Sequence, residues 1–292
     1  YLPDPVESEL AAYDEVEVIF TNPNKTKVFL GPKVLKGLPK LKVIATASTG
    51  TVHIDKDYCK EVSIEVVSLT KEIPVLERIT STAEHAFLLT LAACRNLVKA
   101  CKSVDSAEWD YEKFVGRQMN QLKVGVLGYG RLGKMYAKYA ADFGAEVLVC
   151  DPYIPDLASS CPHRIVSAEQ LFTECDVVSI HIHATKDNTK FVNQKFLDLA
   201  KPNLLLINTA RGEVICETDI LSFLGENPKA KYYTDVLFEE FRGVENNALY
   251  SSALYGEQVV ITPHIAGMTI DAQQIAYNHC LVLLVDFLQM ES

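Results

Sequence analysis

Short apolar runs alternate with helix-length segments along nearly the whole chain. In the first third, "EVEVIF" (15–20), "LKVIAT" (41–46) and "SIEVVSL" (63–69) predict short strands. The run 82–101 predicts one long, mostly buried helix. A more polar piece, 102–121, carries the single tryptophan, Trp109, and predicts the crossing into a second domain. Six buried strands follow: "KVGVLG" (123–128), "AEVLVC" (145–150), "DVVSIHI" (176–182), "NLLLINT" (203–209), "KYYTDV" (231–236) and "QVVITP" (258–263). Near-continuous apolar strands separated by helices imply a parallel α/β sheet covered on both faces. The end, 269–290, predicts a helix with Thr269 as cap and Asp271 in its first turn. Its apolar residues Ile275, Leu281, Leu284, Val285 and Leu288 suit it to pack back on the first domain. The expected division is 1–98 with 270–292 as one domain and 99–269 as the other.

Composition narrows the partners. The chain has 292 residues, enough for two cores, and 48% of them are apolar. A formal net charge of −10 without any Lys/Arg run argues against nucleic acid, whose binding draws on counterion release. Cys59, Cys94, Cys101, Cys150, Cys161, Cys175, Cys216 and Cys280 form no CxxC pair. They predict scattered buried thiols, a reducing cytoplasmic compartment and no metal site. No apolar stretch approaches the ~20 residues of a membrane span, so no membrane partner is expected. The chain opens at Tyr1 without a methionine, which leads to the expectation of either a truncated start or a genuinely shorter first domain.

Three glycines, Gly128, Gly130 and Gly133, follow the strand 123–128 in "LGYGRLG" (127–133). Gly128 suits the tight turn out of the strand, and Gly130 a close approach of pyrophosphate to the main chain. Gly133 lets the next helix, "RLGKMYAKYAADFG", lie close on the sheet. The N–H groups and dipole of that helix start favour phosphate. Asp151 ends the next strand, where a carboxylate accepts from an adenosine ribose and repels a 2′-phosphate, so NAD is favoured over NADP. An S-adenosyl ligand fits this glycine spacing less well.

In an open parallel sheet, ligands bind beyond the carboxyl ends of the strands. His181, Arg211, Asp235, Glu240 and His264 collect there, after the glycines and Asp151. Arg211 can grip a carboxylate through a planar fork. His264 can give or take a proton near neutral pH, and Glu240 can hold the imidazole in its protonated form. Beside a nicotinamide, this set predicts hydride transfer to or from a 2-oxo or 2-hydroxy acid.

The chain resembles the D-isomer-specific 2-hydroxyacid dehydrogenase family, including its phosphoglycerate dehydrogenase-like and glyoxylate reductase-like members. The resemblance rests on "LGYGRLG", "DVVSIHIHAT" (176–185), "LLINTARGEVICE" (205–217), "DVLFEE" (235–240) and "ITPHIAG" (261–267). It implies a Rossmann-type doubly wound parallel sheet domain plus a flavodoxin-like α/β substrate domain, a cleft that closes on the substrate, and a homodimer held mainly by the cofactor domains. It also implies Arg211 as the substrate-carboxylate arginine, Glu240 as the histidine's partner, His264 as acid/base and Asp235 near the nicotinamide amide. Cofactor contacts are expected from Gly128, Tyr129, Gly130, Arg131, Leu132, Gly133, Asp151, His181, Thr209, Ala210, Asp235 and Gly267. In "ASTGTVHID" (47–55), Ser48, Thr49 and Gly50 resemble the family's carboxylate-binding loop, where a small-residue turn presents amide donors.

Departures from the family shape the expectations further. His183 stands where many members have proline, and Arg78 where many have asparagine, as a second anion contact or a solvent-facing residue. No arginine occupies the places that meet the phosphate in phosphoglycerate dehydrogenases, "TNPNK" (21–25) and Thr46, which leaves Lys25, Lys27 or Arg78. The 241–263 segment is long, and its Tyr250 and Tyr255 are expected at substrate or a neighbouring subunit. The rival from another class is an NAD-sensing, corepressor-like binding protein with little turnover; a purely structural subunit leaves the strand-end residues unexplained.

Overall fold

The structure, a computed structural model, describes residues 7–10, 12–21, 28–51, 53–153, 161–240, 243–252 and 254–291. Lys25, Lys27 and most of "TNPNK" lie outside these residues. The chain divides into two compact units, Tyr1–Ile79 with Met268–Ser292, and Thr80–Gly267.

The smaller unit is built on three parallel strands, β1 (Val18–Thr21), β2 (Val43–Thr46) and β3 (Glu65–Ser68), in that order across the sheet. Successive β2 side chains point to opposite faces, and both faces are buried. Ile44 packs with Val28, Leu30, Val34, Leu35 and Cys59 on one side. Val43 and Ala45 pack with Ala276, Cys280 and Leu284 of the Ile270–Glu291 helix on the other. The Thr269 hydroxyl accepts from the Ala272 amide at 3.1 Å, as expected of the cap. The buried stripe, Ala272–Ala276–Cys280–Leu284, runs at a spacing of four. Of the residues expected to bury, Leu281, Val285 and Leu288 are exposed instead. Small residues lie at the contact because they let the helix come close to the strands.

The larger unit holds seven strands: β4 (Lys123–Leu127), β5 (Glu146–Cys150), β6 (Arg164–Ile165), β7 (Val177–Ile180), β8 (Leu205–Asn208), β9 (Lys231–Thr234) and β10 (Val259–Ile261). All pair in parallel, in the order β10-β9-β8-β7-β4-β5-β6. The chain winds outward from β4 to β5 and β6 on one side and from β7 to β10 on the other. β4 therefore borders the switch point, where a doubly wound sheet opens a crevice. β6 was not expected from sequence, because two exposed residues on an edge have no hydrophobic period to read.

Two strand faces give two cores. Val178, Ile180, Leu206 and Tyr232 face Phe172, Phe196 and Leu224. Val124, Val126, Val177, Ile207 and Tyr233 face Tyr136, Ala137 and Ala140 together with Ala86, Leu89 and Ala93. The last three belong to the Ser81–Cys94 helix. That helix therefore packs into the larger unit's core, and the first-domain boundary expected at residue 98 falls at Ile79. Nor is 82–101 one helix: Asn96 takes a left-handed backbone (φ 53°) and a second helix runs Leu97–Asp105. Asparagine tolerates that conformation better than most residues. Lys231 Nζ fixes the break by donating to Ala93 O and Asn96 Oδ1, each at 2.5 Å.

Candidate active site

Each glycine after β4 has its own reason. Gly128 has φ +94°, and a Cβ there would meet the His181 carbonyl carbon at 2.7 Å. A Cβ on Gly133 would lie 2.0 Å from Gly128 O, so only glycine lets the Arg131–Asp142 helix sit this close. Around a Cβ on Gly130 nothing lies within 4 Å. No protein atom demands that glycine, which leaves main chain open to a ligand at the start of a helix whose first N–H groups lack intrahelical acceptors. Arg131 and Leu132, on that first turn, are half-buried.

Asp151 has two structural duties at this turn. Its Oδ2 accepts from the Tyr129 amide at 2.7 Å and its Oδ1 from the Tyr153 amide at 2.9 Å. Each oxygen keeps a lone pair for a ribose hydroxyl. Tyr129 is buried beneath the turn, with Lys134 Nζ 5.8 Å from its ring centre. His181 donates its amide to Leu127 O at 2.7 Å, and its Nε2 lies 2.9 Å from Ser179 Oγ. Burial pushes its pKa down to about 3, so it is a neutral imidazole under the turn. His183 is exposed. Thr209 is buried with its hydroxyl unpartnered. Ala210 donates its amide to Asn208 Oδ1 at 3.0 Å. The open Gly130, the carboxylate beside it and the orphaned Thr209 hydroxyl fit a dinucleotide laid along this edge.

The expected acid/base couple is in contact: His264 Nδ1 meets Glu240 Oε1. Glu240 Oε2 also accepts from the Leu237 amide at 3.2 Å. The side chains of His264 and Glu240 are 32% and 35% exposed, so the couple stays accessible to a small molecule. With Nδ1 against the carboxylate, Nε2 is the ring nitrogen left for chemistry. Arg211 Nη1 donates to Ala210 O at 2.6 Å, one of its five N–H donors. The next residue, Gly212, presses on the Glu240 loop: a Cβ there would lie 2.0 Å from the Leu237 carbonyl carbon. Glu217 braces the same loop, accepting from the Phe238 amide at 2.9 Å and Asn247 Nδ2 at 2.8 Å.

Asp235, expected near a nicotinamide, has a side chain with no exposed surface. It accepts from Thr262 Oγ1 at 2.5 Å and from the Ile265 and Ala266 amides at 2.9 and 2.8 Å. The carboxylate is occupied by the segment that carries His264. Gly267, at the end of that segment, has only Thr82 Oγ1 within 4 Å of a Cβ, at 4.0 Å. His85, Glu217, Asn208 and Thr262 were not singled out from sequence. None sits in a glycine turn or an acid/base pattern; only the fold brings His85 and Thr262 together, 177 residues apart.

In the smaller unit, the expected carboxylate loop is an open turn. Ser48 Oγ donates to Gly50 O at 2.7 Å and Thr70 Oγ1 to Thr49 O at 3.1 Å. The Thr49 and Gly50 amides have no acceptor among the described residues. Behind the loop, His53 is buried 3.4 Å from Thr46 Oγ1, with Nδ1 unpartnered and its pKa pushed down to about 4 by burial. Arg78 is exposed and lines a groove of about 400 Å³ with Val75, Asp271, Gln274 and His279. In the 241–263 segment, Leu249 and Leu254 join the larger unit's core, while the Tyr250 and Tyr255 rings pair at 5.1 Å and stay partly exposed.

Comparison with known proteins gives this geometry a context. Residues 87–266 match the family described as D-isomer specific 2-hydroxyacid dehydrogenase, NAD binding domain. The chain is 30% identical over 268 residues to D-3-phosphoglycerate dehydrogenase of Mycobacterium leprae, covering 91% of this chain and 48% of that protein. It thus spans about half the length of that relative. It is 32% identical over 259 residues to D-2-hydroxyacid dehydrogenase (NAD+) of Lacticaseibacillus paracasei, covering 85% and 75% of the two chains. Among solved structures, D-lactate dehydrogenase from Aquifex aeolicus, complexed with NAD and lactic acid, superposes with a TM-score of 0.80 at 27% identity, covering 98% of this chain and 86% of that one.

Proposed function

The chain belongs to the D-isomer-specific 2-hydroxyacid dehydrogenase family, with NAD as its cofactor, and on that premise we propose that it interconverts a D-2-hydroxy acid and the 2-oxo acid. The observation that carries this reading is the Glu240–His264 contact, which leaves imidazole Nε2 for a substrate oxygen.

Gly128–Gly133 and Asp151, with Thr209 and Ala210 alongside, would hold NAD, which would supply or take the hydride. In reduction, Arg211 holds the substrate carboxylate with guanidinium donors that its one bond to Ala210 O leaves over. Ser48, Thr49 and Gly50 belong to the same proposal as further carboxylate contacts, supported by the unused Thr49 and Gly50 amides. His264 gives the Nε2 proton to the carbonyl oxygen as the 2-carbon is reduced. Glu240 steadies the imidazolium beforehand and the neutral ring afterwards. In oxidation the same nitrogen takes the hydroxyl proton. Asp151 favours NAD(H) over NADP(H).

The test is NADH oxidation with pyruvate, glyoxylate, hydroxypyruvate and phosphohydroxypyruvate. His264→Ala is expected to lower kcat by roughly 10²–10⁴-fold with NADH affinity little changed. Unaltered turnover in that variant would remove His264 from the chemistry. The same assay discriminates against an NAD-sensing, corepressor-like role, which expects NADH binding with negligible turnover; the names of the three proteins compared above, each a dehydrogenase, support the enzyme. The eight unpaired thiols support a reducing, cytoplasmic setting.

A homodimer is part of the proposal. Leu97, Val104, Trp109, Tyr111 and Val115 expose a run of large apolar side chains on the larger unit, a density that marks association surfaces. Sedimentation at micromolar protein is expected to give twice the chain mass. Trp109→Glu with Tyr111→Glu is expected to halve it, and a wild-type monomer would contradict the assignment.

A further inference from the structure

The backbone of His264 is in the left-handed region, φ 52°, where a residue other than glycine is held at a cost. Something must hold it there. Its amide donates to Asp235 O at 3.0 Å and Thr262 O at 2.9 Å, which closes a tight turn. The Asp235 carboxylate then takes three donors from the two sides of His264: Thr262 Oγ1 before it, and the Ile265 and Ala266 amides after it. One buried side chain thus grips both flanks of the residue that meets Glu240.

His85 completes the arrangement from the fifth position of the Ser81–Cys94 helix. Its Nε2 lies 3.0 Å from Thr262 Oγ1 and 3.5 Å from Asp235 Oδ1, and its side chain is largely buried. The directions of these bonds follow from valence. A threonine hydroxyl has one proton, and at 2.5 Å from the carboxylate that proton is given to Asp235. Toward His85 the hydroxyl can only accept. His85 therefore carries a proton on Nε2, and the chain reads His85 Nε2–H to Thr262 Oγ1–H to Asp235 Oδ1. Each of these contacts leads toward the turn around His264.

We propose that His85, Thr262 and Asp235 form a positioning relay that locks the Thr262–Ala266 turn and so keeps the His264 imidazole against Glu240. His85 and Thr262 act through His264 rather than on substrate. Any effect of this relay on turnover rests on the acid/base role proposed above for His264; its effect on the His264–Glu240 contact does not.

The contact can be read directly. The His264 Nδ1 proton, shielded from exchange while Glu240 holds it, is expected as a low-field proton resonance in water, assigned by its loss in His264→Ala. Thr262→Val keeps the shape and removes the hydroxyl; Thr262→Ser restores the hydroxyl. The resonance is expected in wild type and Thr262→Ser and absent in Thr262→Val. kcat is expected to fall about tenfold in Thr262→Val with the KM for NADH within about twofold, and to recover in Thr262→Ser. His85→Leu and His85→Gln repeat the comparison from the helix, glutamine keeping an N–H donor, so a folding failure of one variant does not end the test. Persistence of the resonance in folded Thr262→Val or His85→Leu overturns the relay, whatever the activity. A protein that turns over none of the oxo acids overturns the enzyme assignment, while the resonance still decides the relay.

Discussion

Two glycines three residues apart, Gly130 and Gly133, show how one side-chain atom separates folding from binding. At Gly133 an added Cβ would sit 2.0 Å from the Gly128 carbonyl oxygen, well inside van der Waals contact with fixed backbone. At Gly130 it would meet nothing within 4 Å, and the local φ of −72° suits any residue. Gly133→Ala is therefore expected to destabilise by about 2 kcal/mol or more, because helix and turn must part. Gly130→Val is expected to leave stability within about 1 kcal/mol, since substitution also limits the unfolded chain. Its effect belongs to the ligand: a phosphate can no longer approach the main chain. NADH affinity is expected to fall roughly tenfold or more, each tenfold being about 1.4 kcal/mol. Thermal denaturation and an NADH fluorescence titration of both variants measure this. Unchanged NADH affinity in Gly130→Val would mean that the open space beside Gly130 is not where the cofactor lies.

At the scale of elements, legibility follows burial. β4, β7 and β8 read clearly because both of their faces are covered, so their sequences are unbroken apolar runs. β6 is two exposed residues and could not be read at all. The Ser81–Cys94 segment reads as a buried helix in sequence, and in the structure it packs within the larger unit. Its apolar residues surround it on nearly all sides, so no stripe says which sheet it packs on. Its end at Asn96 depends on Lys231, 135 residues away, which no local pattern encodes. In the final helix Leu284 buries as expected, while Ala276 and Cys280, which carry little hydrophobic signal, make the rest of the contact. In the candidate site, glycines, Arg211, Glu240 and His264 were legible because their chemistry is specific to residue type and strand end. The support was not: Asp235 reads as a cofactor contact in sequence, and only the fold shows its carboxylate accepting from Thr262, Ile265 and Ala266. Glu217 and His85 become visible only through partners distant in the chain.

At the scale of the whole molecule, desolvation most strongly lowers the pKa of two histidines, His53 in the smaller unit and His181 in the larger, and this shapes how the protein meets acid. Burial lowers the folded pKa values to about 4 and about 3. In the unfolded chain both return to about 6.5. Above pH 6.5 both states are neutral and neither histidine makes stability depend on pH. Below it the unfolded chain takes up protons that the folded one refuses, until the folded pKa is reached. Stability contributed by neutral burial is therefore present above pH 6.5 and is lost as pH falls toward 4 and then 3. The upper limit of the slope is roughly 1.4 kcal/mol per pH unit for each histidine. Glu17, Glu169 and Glu174 are held below the usual carboxylate range by hydrogen bonds to Lys42, Lys195 and Arg164, so their share goes only at lower pH. The interval from pH 6.5 to about 5 thus isolates the histidines. Urea unfolding at pH 7.5, 6 and 5 is expected to show a fall in stability that His181→Gln and His53→Gln each reduce. Because the two residues lie in different units, each substitution is expected to flatten the acid response of its own unit, followed through amide exchange at Val177–Ile180 for the larger and at Val43–Thr46 for the smaller. A slope unchanged in both variants would show that these rings are protonated in the folded protein, and that burial does not hold them neutral.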